Sequence, residues 1–309
     1  PHTVTFMGGQ HVMLKRFDPT TACNLIEQEG VTAFSMVPTM ANMLLSFPEL
    51  AQYDLSSLEE VMIGGAPSSP ALTRQLEEQL GCRVLAGYGL TETSPVVTMA
   101  HLKETLGEVS DEERTRRQAM TGYALPGSQV KVVGHDGAAV SKDAKTIGEI
   151  MIRGDVVMDG YWSEPQASAE AVVDNWLHTG DMAWWDEHNY LLIVDRKKDI
   201  IISGGENISS VEVENIIASH PAVYEAAVVG VPDEKWGEVV KAFVVVKPGL
   251  TTSEDDVQEH AREHLAGFKV PKSVEFRDEL PKGATGKILK RVLREPYWKD
   301  KGKGVHGSG

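Results

Sequence analysis

The sequence predicts an α/β protein in three stretches: a partial parallel α/β layer, a strand-rich barrel-like section, and a small α+β C-terminal domain. Three observations lead there. As far as about residue 121, short apolar runs alternate with helical patterns, as when parallel strands are joined by crossover helices. From Gly122 to about Asp195 the runs shorten, and turns such as Gly134-His135-Asp136-Gly137 separate them, as in an antiparallel, barrel-like sheet. The charged cluster Arg196-Lys197-Lys198-Asp199 then marks a boundary, and a compact unit follows it.

The elements follow in order. Residues 4–6 and 31–37 read as buried strands around a helix at about 19–29, which Asp18-Pro19 starts. Pro38-Thr39 opens a second helix with Met40, Met43, Leu44 and Phe47 on one face. Leu58–Ile63 and Arg83–Ala86 read as strands on either side of a helix, Pro70–Leu80. Residues 104–118 are polar and helix-like. In the middle section Gly148–Gly154 and Tyr190–Val194 are the clearest strands. Beyond the boundary come a strand at Ile200–Ile202, a helix from Ser209 to Ser219, and strands at Ala226–Val231 and Lys241–Lys247. Helices near 253–266 and 286–294 complete this unit. The expected division is 1–197 for the large domain, with its layer at about 1–121 and its barrel-like section at about 122–197. The small domain takes 198–295, and 296–309 reads as a tail whose Gly/Lys/Ser composition suits disorder.

Composition narrows the function. With 309 residues, 41% of them hydrophobic, the chain can bury more than one core. A formal charge of −15 argues against non-specific affinity for nucleic acid or anionic membranes, yet leaves room for one basic pocket. Cys23 and Cys82 stand in no metal or redox spacing, and no apolar run is long enough to span a bilayer. With no secretory leader, the expectation is a cytoplasmic protein. The opening Pro-His-Thr-Val-Thr-Phe-Met lacks an initiator methionine, so the chain reads as a fragment.

Five segments can carry chemistry, and each also has a plain structural use. Tyr88-Gly89-Leu90-Thr91-Glu92-Thr93-Ser94-Pro95 follows a strand, and strand ends in α/β sheets are where ligands usually bind. There a Tyr offers a stacking face, a Thr hydroxyl reaches phosphate, and a Glu holds Mg²⁺. Equally, Thr91 and Glu92 can cap a following helix. Gly64-Gly65-Ala66-Pro67 lets backbone lie against a flat adenine ring, or simply starts the helix at Pro70. His178-Thr179-Gly180-Asp181 sets a carboxylate where it can accept ribose hydroxyls, or is an ordinary turn. Asp195-Arg196-Lys197-Lys198-Asp199 with Ser203-Gly204-Gly205-Glu206-Asn207 is a solvated linker, or a place where Arg196 supports Asp181 and paired glycines admit a slender chain. Thr285-Gly286-Lys287 ends a glycine-bearing turn, so Lys287 is a surface solubiliser or a mobile cation for phosphate.

Taken in order, six segments resemble the successive core motifs of the adenylate-forming superfamily, which includes acyl-CoA synthetases, luciferases and peptide-synthetase adenylation domains. They are Gly64–Pro67, Tyr88–Thr93, Gly148–Gly154, His178–Asp181, Asp195–Asn207 and Thr285–Lys287, and the resemblance covers roughly residues 1–295. It implies a carboxylate attacking the α-phosphate of Mg·ATP to give acyl-AMP, followed by thioester formation with coenzyme A. By matching position, Gly65, Ala66, Pro67, Tyr88 and Gly89 belong to the AMP/ATP site, and Thr91 to the AMP phosphate. Glu92 would serve Mg²⁺, Asp181 and Arg196 the ribose, and Lys287 the reacting phosphate. Thr91, Glu92 and Lys287 are thus the catalytic candidates. Lys198 matches the hinge about which the small domain rotates between half-reactions, and Gly204-Gly205 the coenzyme A tunnel.

One departure stands out. The family's Ser/Thr/Gly-rich loop ending in Pro-Lys-Gly, which wraps the β- and γ-phosphates, has no counterpart here. The 309 residues alone are therefore expected to be inactive. The leading reading is an acyl-CoA ligase for an aliphatic or fatty acid, with ATP, Mg²⁺ and coenzyme A as co-substrates and no nucleic-acid partner. The alternatives are an adenylation domain that loads a carrier protein and a non-catalytic nucleotide- or CoA-binding remnant.

Overall fold

The structure, a computed structural model, describes residues 2–134, 136–283 and 288–299. Ala33–Met36, Glu60–Ile63 and Arg83–Tyr88 form parallel strands in register, with Met36 beside Ile63 and Ile63 beside Ala86. The helices between and before them, Pro19–Glu29, Pro38–Leu45 and Pro70–Leu80, each carry proline in the first turn, where a missing N–H costs nothing. Asp18 accepts from the Thr21 amide at 2.8 Å and Ser69 from that of Leu72 at 3.2 Å, so two of the three starts are capped. Leu44, Val61, Ile63, Leu76 and Val84 close this core. The short antiparallel strands Thr98–Met99 and Tyr123–Ala124 extend the sheet beyond Tyr88.

One expectation changes here and another is narrowed. Residues 4–6 are not a buried strand but part of a short helix, His2–Phe6, with Val4 and Phe6 exposed. The edge strand Ala33–Met36 does not pair with them, and an apolar alternation without a partner has no strand to join. The polar stretch 104–118 holds a 3₁₀ turn and the helix Asp111–Gln118, which docks by its charges. Arg117, only 6% exposed, donates to Glu113 at 2.7 Å and to Asp186 at 2.9 Å. Its guanidinium lies 4.6 Å from the centre of the Tyr190 ring, tying the parallel layer to the middle section.

The barrel-like section is an antiparallel sheet in which Leu191–Arg196, Trp176–Trp185, Gly148–Gly154 and Ser128–Val133 lie side by side. Val172–Val173 adds a short fifth strand beside Trp176–Trp185. Val132, Ile150, Ile152, Leu177 and Leu191 fill its buried face. The register sets Arg196 directly opposite Asp181.

The C-terminal sheet runs Glu206–Ile208, Ile201–Ser203, Gly237–Val246, Val223–Asp233, with Ser273–Phe276 parallel to Gly237–Val246. Val213 and Ile217 of the helix Ser210–Ala218 and Val257 of Glu254–His264 pack with Val228 and Val244 in one cluster. A second cluster holds Ala227, Phe243, Leu280 and Leu293, the last from the helix Lys290–Trp298. That helix continues past residue 295: Trp298 Nε1 donates to the Gly230 carbonyl at 3.1 Å, and the Tyr297 hydroxyl donates to Glu275 at 2.9 Å. Among the described residues, no helix is long and apolar enough to cross a membrane.

Candidate active site

The strand Arg83–Tyr88 leads into a turn that folds on itself. A Cβ at Gly89 would stand 1.6 Å from the Pro95 carbonyl oxygen, so glycine is required for the two arms to close. Thr93 Oγ1 accepts from the Leu90 amide at 2.9 Å and lies 3.1 Å from the Pro95 oxygen. Thr91–Thr93 is a 3₁₀ turn followed by Ser94 in a left-handed conformation, so Thr91 and Glu92 cap no further helix. The Glu92 carbonyl accepts from the Met158 amide at 2.8 Å, and its Oε1 accepts from the Tyr161 hydroxyl at 2.9 Å. A second loop thereby clamps the turn.

Asp181 is 5% exposed. Its Oδ2 accepts from the Tyr88 hydroxyl at 2.8 Å, across 93 positions of sequence, and its Oδ1 lies 3.4 Å from Arg196 Nε. Burial pushes the Tyr88 hydroxyl to ionise well above its ordinary range, with the Asp181 charge adding to the effect. Thr179 Oγ1 accepts from the Asp181 amide at 3.1 Å and donates to the Ile150 carbonyl at 2.7 Å, fixing the carboxylate's strand against its neighbour.

Beside it lies a second carboxylate, Glu149. It meets the Gly180 amide at 3.1 Å, Lys197 Nζ at 3.1 Å and His178 Nδ1 at 3.4 Å. Burial raises its carboxyl, but the Lys197 ammonium, His178 and the Gly180 amide together outweigh that and hold it below its ordinary range.

A cleft of about 450 Å³ opens over these groups, lined by Gly89, Thr91, Glu92, Tyr161, His178 and Arg196 among others. Tyr88 and Asp181 are not among its lining residues, but Asp181 pairs with Arg196 and follows Thr179 along the strand, and both of these line it. Gly65, Ala66 and Pro67 are exposed at the end of the neighbouring strand Glu60–Ile63, off the cleft lining. Gly204 and Gly205 form the hairpin turn between Ile201–Ser203 and Glu206–Ile208, also off the lining. Lys198 is exposed, and its carbonyl accepts from the Arg294 guanidinium. Lys287 lies outside the described residues. The structure therefore brings together Tyr88, Gly89, Thr91, Glu92, Asp181 and Arg196, and leaves Gly65, Ala66, Pro67, Lys198, Gly204 and Gly205 off the cleft.

Sequence reasoning assigned no role to Tyr161, Glu149, His178 or Lys197. Glu149 lies in the motif-like strand Gly148–Gly154, but nothing in that segment points to its contacts with Gly180, His178 and Lys197. Tyr161 had no signal, because its partner Glu92 lies 69 positions away. The boundary cluster also hides a buried junction. Asp195 Oδ2 accepts from the Ser210 amide at 2.5 Å and hydroxyl at 2.6 Å, while Lys290 Nζ meets Ser210 Oγ at 2.6 Å and Glu214 at 2.8 Å. Burial raises the carboxyls of both Asp195 and Glu214, against the pull of Lys290.

The comparisons fit this geometry. The profile of the AMP-binding enzyme family matches residues 2–162, and that of the AMP-binding enzyme C-terminal domain matches 212–287. A 2-methylpropanoate–CoA ligase of Humulus lupulus is 41% identical over 301 residues, which are 96% of this chain and 53% of the relative. A feruloyl-CoA synthase of Amycolatopsis sp is 41% identical over 293 residues, 94% of this chain and 57% of the relative. The chain thus spans about half the length of these curated relatives. The crystal structure of ATP-bound MatB from Rhodopseudomonas palustris superposes with a TM-score of 0.83 at 33% identity, covering 98% of this chain and 57% of that one. On the strength of both profiles and this shared fold, the chain belongs to the AMP-binding, adenylate-forming enzyme family.

Proposed function

We propose that this chain is the C-terminal part of an acid–thiol ligase that activates a carboxylic acid as acyl-AMP and passes the acyl group to coenzyme A. The observation that carries the proposal is the convergence of Tyr88, Asp181 and Arg196 beside a cleft whose rim holds Thr91 and Glu92. Asp181, a carboxylate held by Tyr88 and Arg196 next to the cleft wall, is the acceptor type that ribose hydroxyls require. Arg196, on the cleft wall, supplies the fixed positive charge that a nucleotide phosphate or ribose edge needs. Thr91 stands exposed at the turn, where its hydroxyl can donate to a phosphate oxygen.

Glu92 fits Mg²⁺ by donor type, since one carboxylate together with substrate phosphates is how this ion is usually held. Bound there, the ion would neutralise phosphate charge as the bond to pyrophosphate breaks. Tyr161 keeps the carboxylate in one orientation by donating to Oε1. Lys198 is the proposed hinge, and Gly204 and Gly205 the proposed passage for the pantetheine arm. Lys287 is the proposed cation for the reacting phosphate.

An aliphatic acid is the substrate class proposed. The 2-methylpropanoate ligase supports it, while the feruloyl-CoA synthase is equally identical, so the acid itself decides the matter. The test supplies a full-length enzyme containing this chain with ATP, Mg²⁺, coenzyme A and two acid series, straight-chain aliphatic and cinnamic. AMP and thioester should accumulate together with the aliphatic series. AMP without thioester would remove coenzyme A as acceptor, turnover of cinnamic acids alone would remove the aliphatic assignment, and no AMP with either series would remove the ligase.

A further inference from the structure

The helix Glu254–His264 ends in His260-Ala261-Arg262-Glu263-His264. Residues three and four apart share a helix face, and here Val257 and Ala261 are in the core, which leaves His260, Glu263 and His264 together at its edge. One donor atom of each of the three lies within 4.8 Å of the other two. The rings of His260 and His264 stand 4.8 Å apart, centre to centre.

The hydrogen bonds fix which ring nitrogens are available. His260 Nε2 lies 3.1 Å from the Ile216 carbonyl and 2.9 Å from the Ser219 hydroxyl, whose own proton goes to Ile216 at 2.7 Å. A carbonyl only accepts, so Nε2 carries the hydrogen and Nδ1 keeps its lone pair. His264 Nδ1 lies 2.9 Å from the His260 carbonyl, and the same reasoning leaves its Nε2 with a lone pair. Each ring is thus anchored through one nitrogen by a backbone carbonyl and offers the other, which is how metal-bound histidines are oriented. His220 packs edge-on against His260 at 5.3 Å, but its Nδ1 accepts from the Ala222 amide at 3.2 Å, so it walls the cluster rather than joining it.

We propose that His260, Glu263 and His264 bind a divalent transition metal of the zinc class, with solvent completing the coordination. Two neutral imidazoles and one carboxylate suit Zn²⁺ and its neighbours, whereas Mg²⁺ and Ca²⁺ prefer oxygen donors. Zinc–nitrogen bonds of about 2.0–2.1 Å require the donors to draw closer than they stand, and the exposed side chains of Glu263 and His264 have the freedom to do so. The site is on the C-terminal domain and separate from the Mg²⁺ that ATP would bring to Glu92.

The experiment titrates the untagged chain with Zn²⁺ against a chromophoric zinc indicator. Wild type should bind one zinc in the micromolar range, and millimolar Mg²⁺ should not displace it. His264→Gln and Glu263→Gln should each weaken binding by at least about tenfold, the scale on which metal sites respond even to loss of a supporting group. Both should unfold at the wild-type temperature without metal, because both side chains are exposed. His188→Gln, at a histidine in the middle section, should bind zinc as wild type does. Unchanged affinity in His264→Gln, equal loss in His188→Gln, or no wild-type binding at micromolar zinc would each overturn the site.

Discussion

Around Asp181 the chain gathers side chains from separate strands and loops: Tyr88 from the first sheet, Arg196 from the strand alongside, and Thr91, Glu92 and Tyr161 on the rim of one cleft. The C-terminal domain does the opposite with its own glycine-rich segment. Gly204 donates its amide to the Trp236 carbonyl at 2.8 Å, a Cβ there would stand 2.8 Å from the Trp236 ring, and Gly205 faces open space. On the proposed function, the difference separates residues that a single fold assembles from residues that would act only if one domain moved against another. It fits the proposed division of labour, with nucleotide contacts built into the large domain and the lysine and thiol passage delivered by rotation about Lys198.

The contrast can be broken most sharply at Lys287. In a full-length enzyme, Lys287→Ala should slow adenylate formation by roughly 10²–10³, the scale of one preorganised electrostatic group. Thioester formation from synthetic acyl-AMP and coenzyme A should stay near wild type. Equal loss in both steps would mean that the C-terminal domain does not serve them separately.

A smaller effect is expected at Gly205, whose φ of +89° lies in the left-handed region. Gly205→Ala meets no neighbour within 4 Å, so its cost is backbone strain of about 1 kcal/mol, read as a lower denaturation midpoint. In the full-length enzyme it should slow thioester formation more than adenylation. Slowing of both steps in proportion to the stability loss would count against a passage at this turn.

The smallest effect concerns Glu149. Its carboxyl is held below the ordinary 4.5, so the stability it contributes is present above that value and lost as pH falls through the lowered folded value. Lys197 is 63% exposed and therefore screened, so the contribution should stay below about 1 kcal/mol. Glu149→Gln should lower stability at neutral pH by up to about 1 kcal/mol, with the difference from wild type shrinking as pH falls below 4.5, so that the acid limb flattens. An acid limb identical to wild type would show that the Glu149 contacts are energetically silent.

Much of the fold was legible because local chemistry and pattern agreed. Asp18-Pro19 and Pro70 marked helix starts that the structure caps, and the apolar runs at Ala33–Met36 and Glu60–Ile63 became parallel strands. Val4 and Phe6 misled, since β-branched and aromatic residues make a strand only where a partner strand exists. In the site, the Asp181–Arg196 pair was legible because each residue follows a recognisable turn or cluster, and register then sets them opposite one another. Tyr161 beside Glu92, Glu149 beside Lys197, and Lys290 beside Glu214 were not legible. Each is a contact between segments far apart in sequence, and nothing in one segment announces the other.

The central claim, that the cleft reads a nucleotide through Asp181, is tested most directly by titrating the chain with AMP and with 2′,3′-dideoxy-AMP, in wild type and in Asp181→Asn. Charged hydrogen bonds contribute about 1.5–3 kcal/mol, so wild type should prefer AMP by roughly ten- to a hundredfold. Asp181→Asn should lose most of that preference while still binding the dideoxy nucleotide. A wild type that binds the two nucleotides equally, or an Asp181→Asn variant that keeps the full preference, would contradict the assignment.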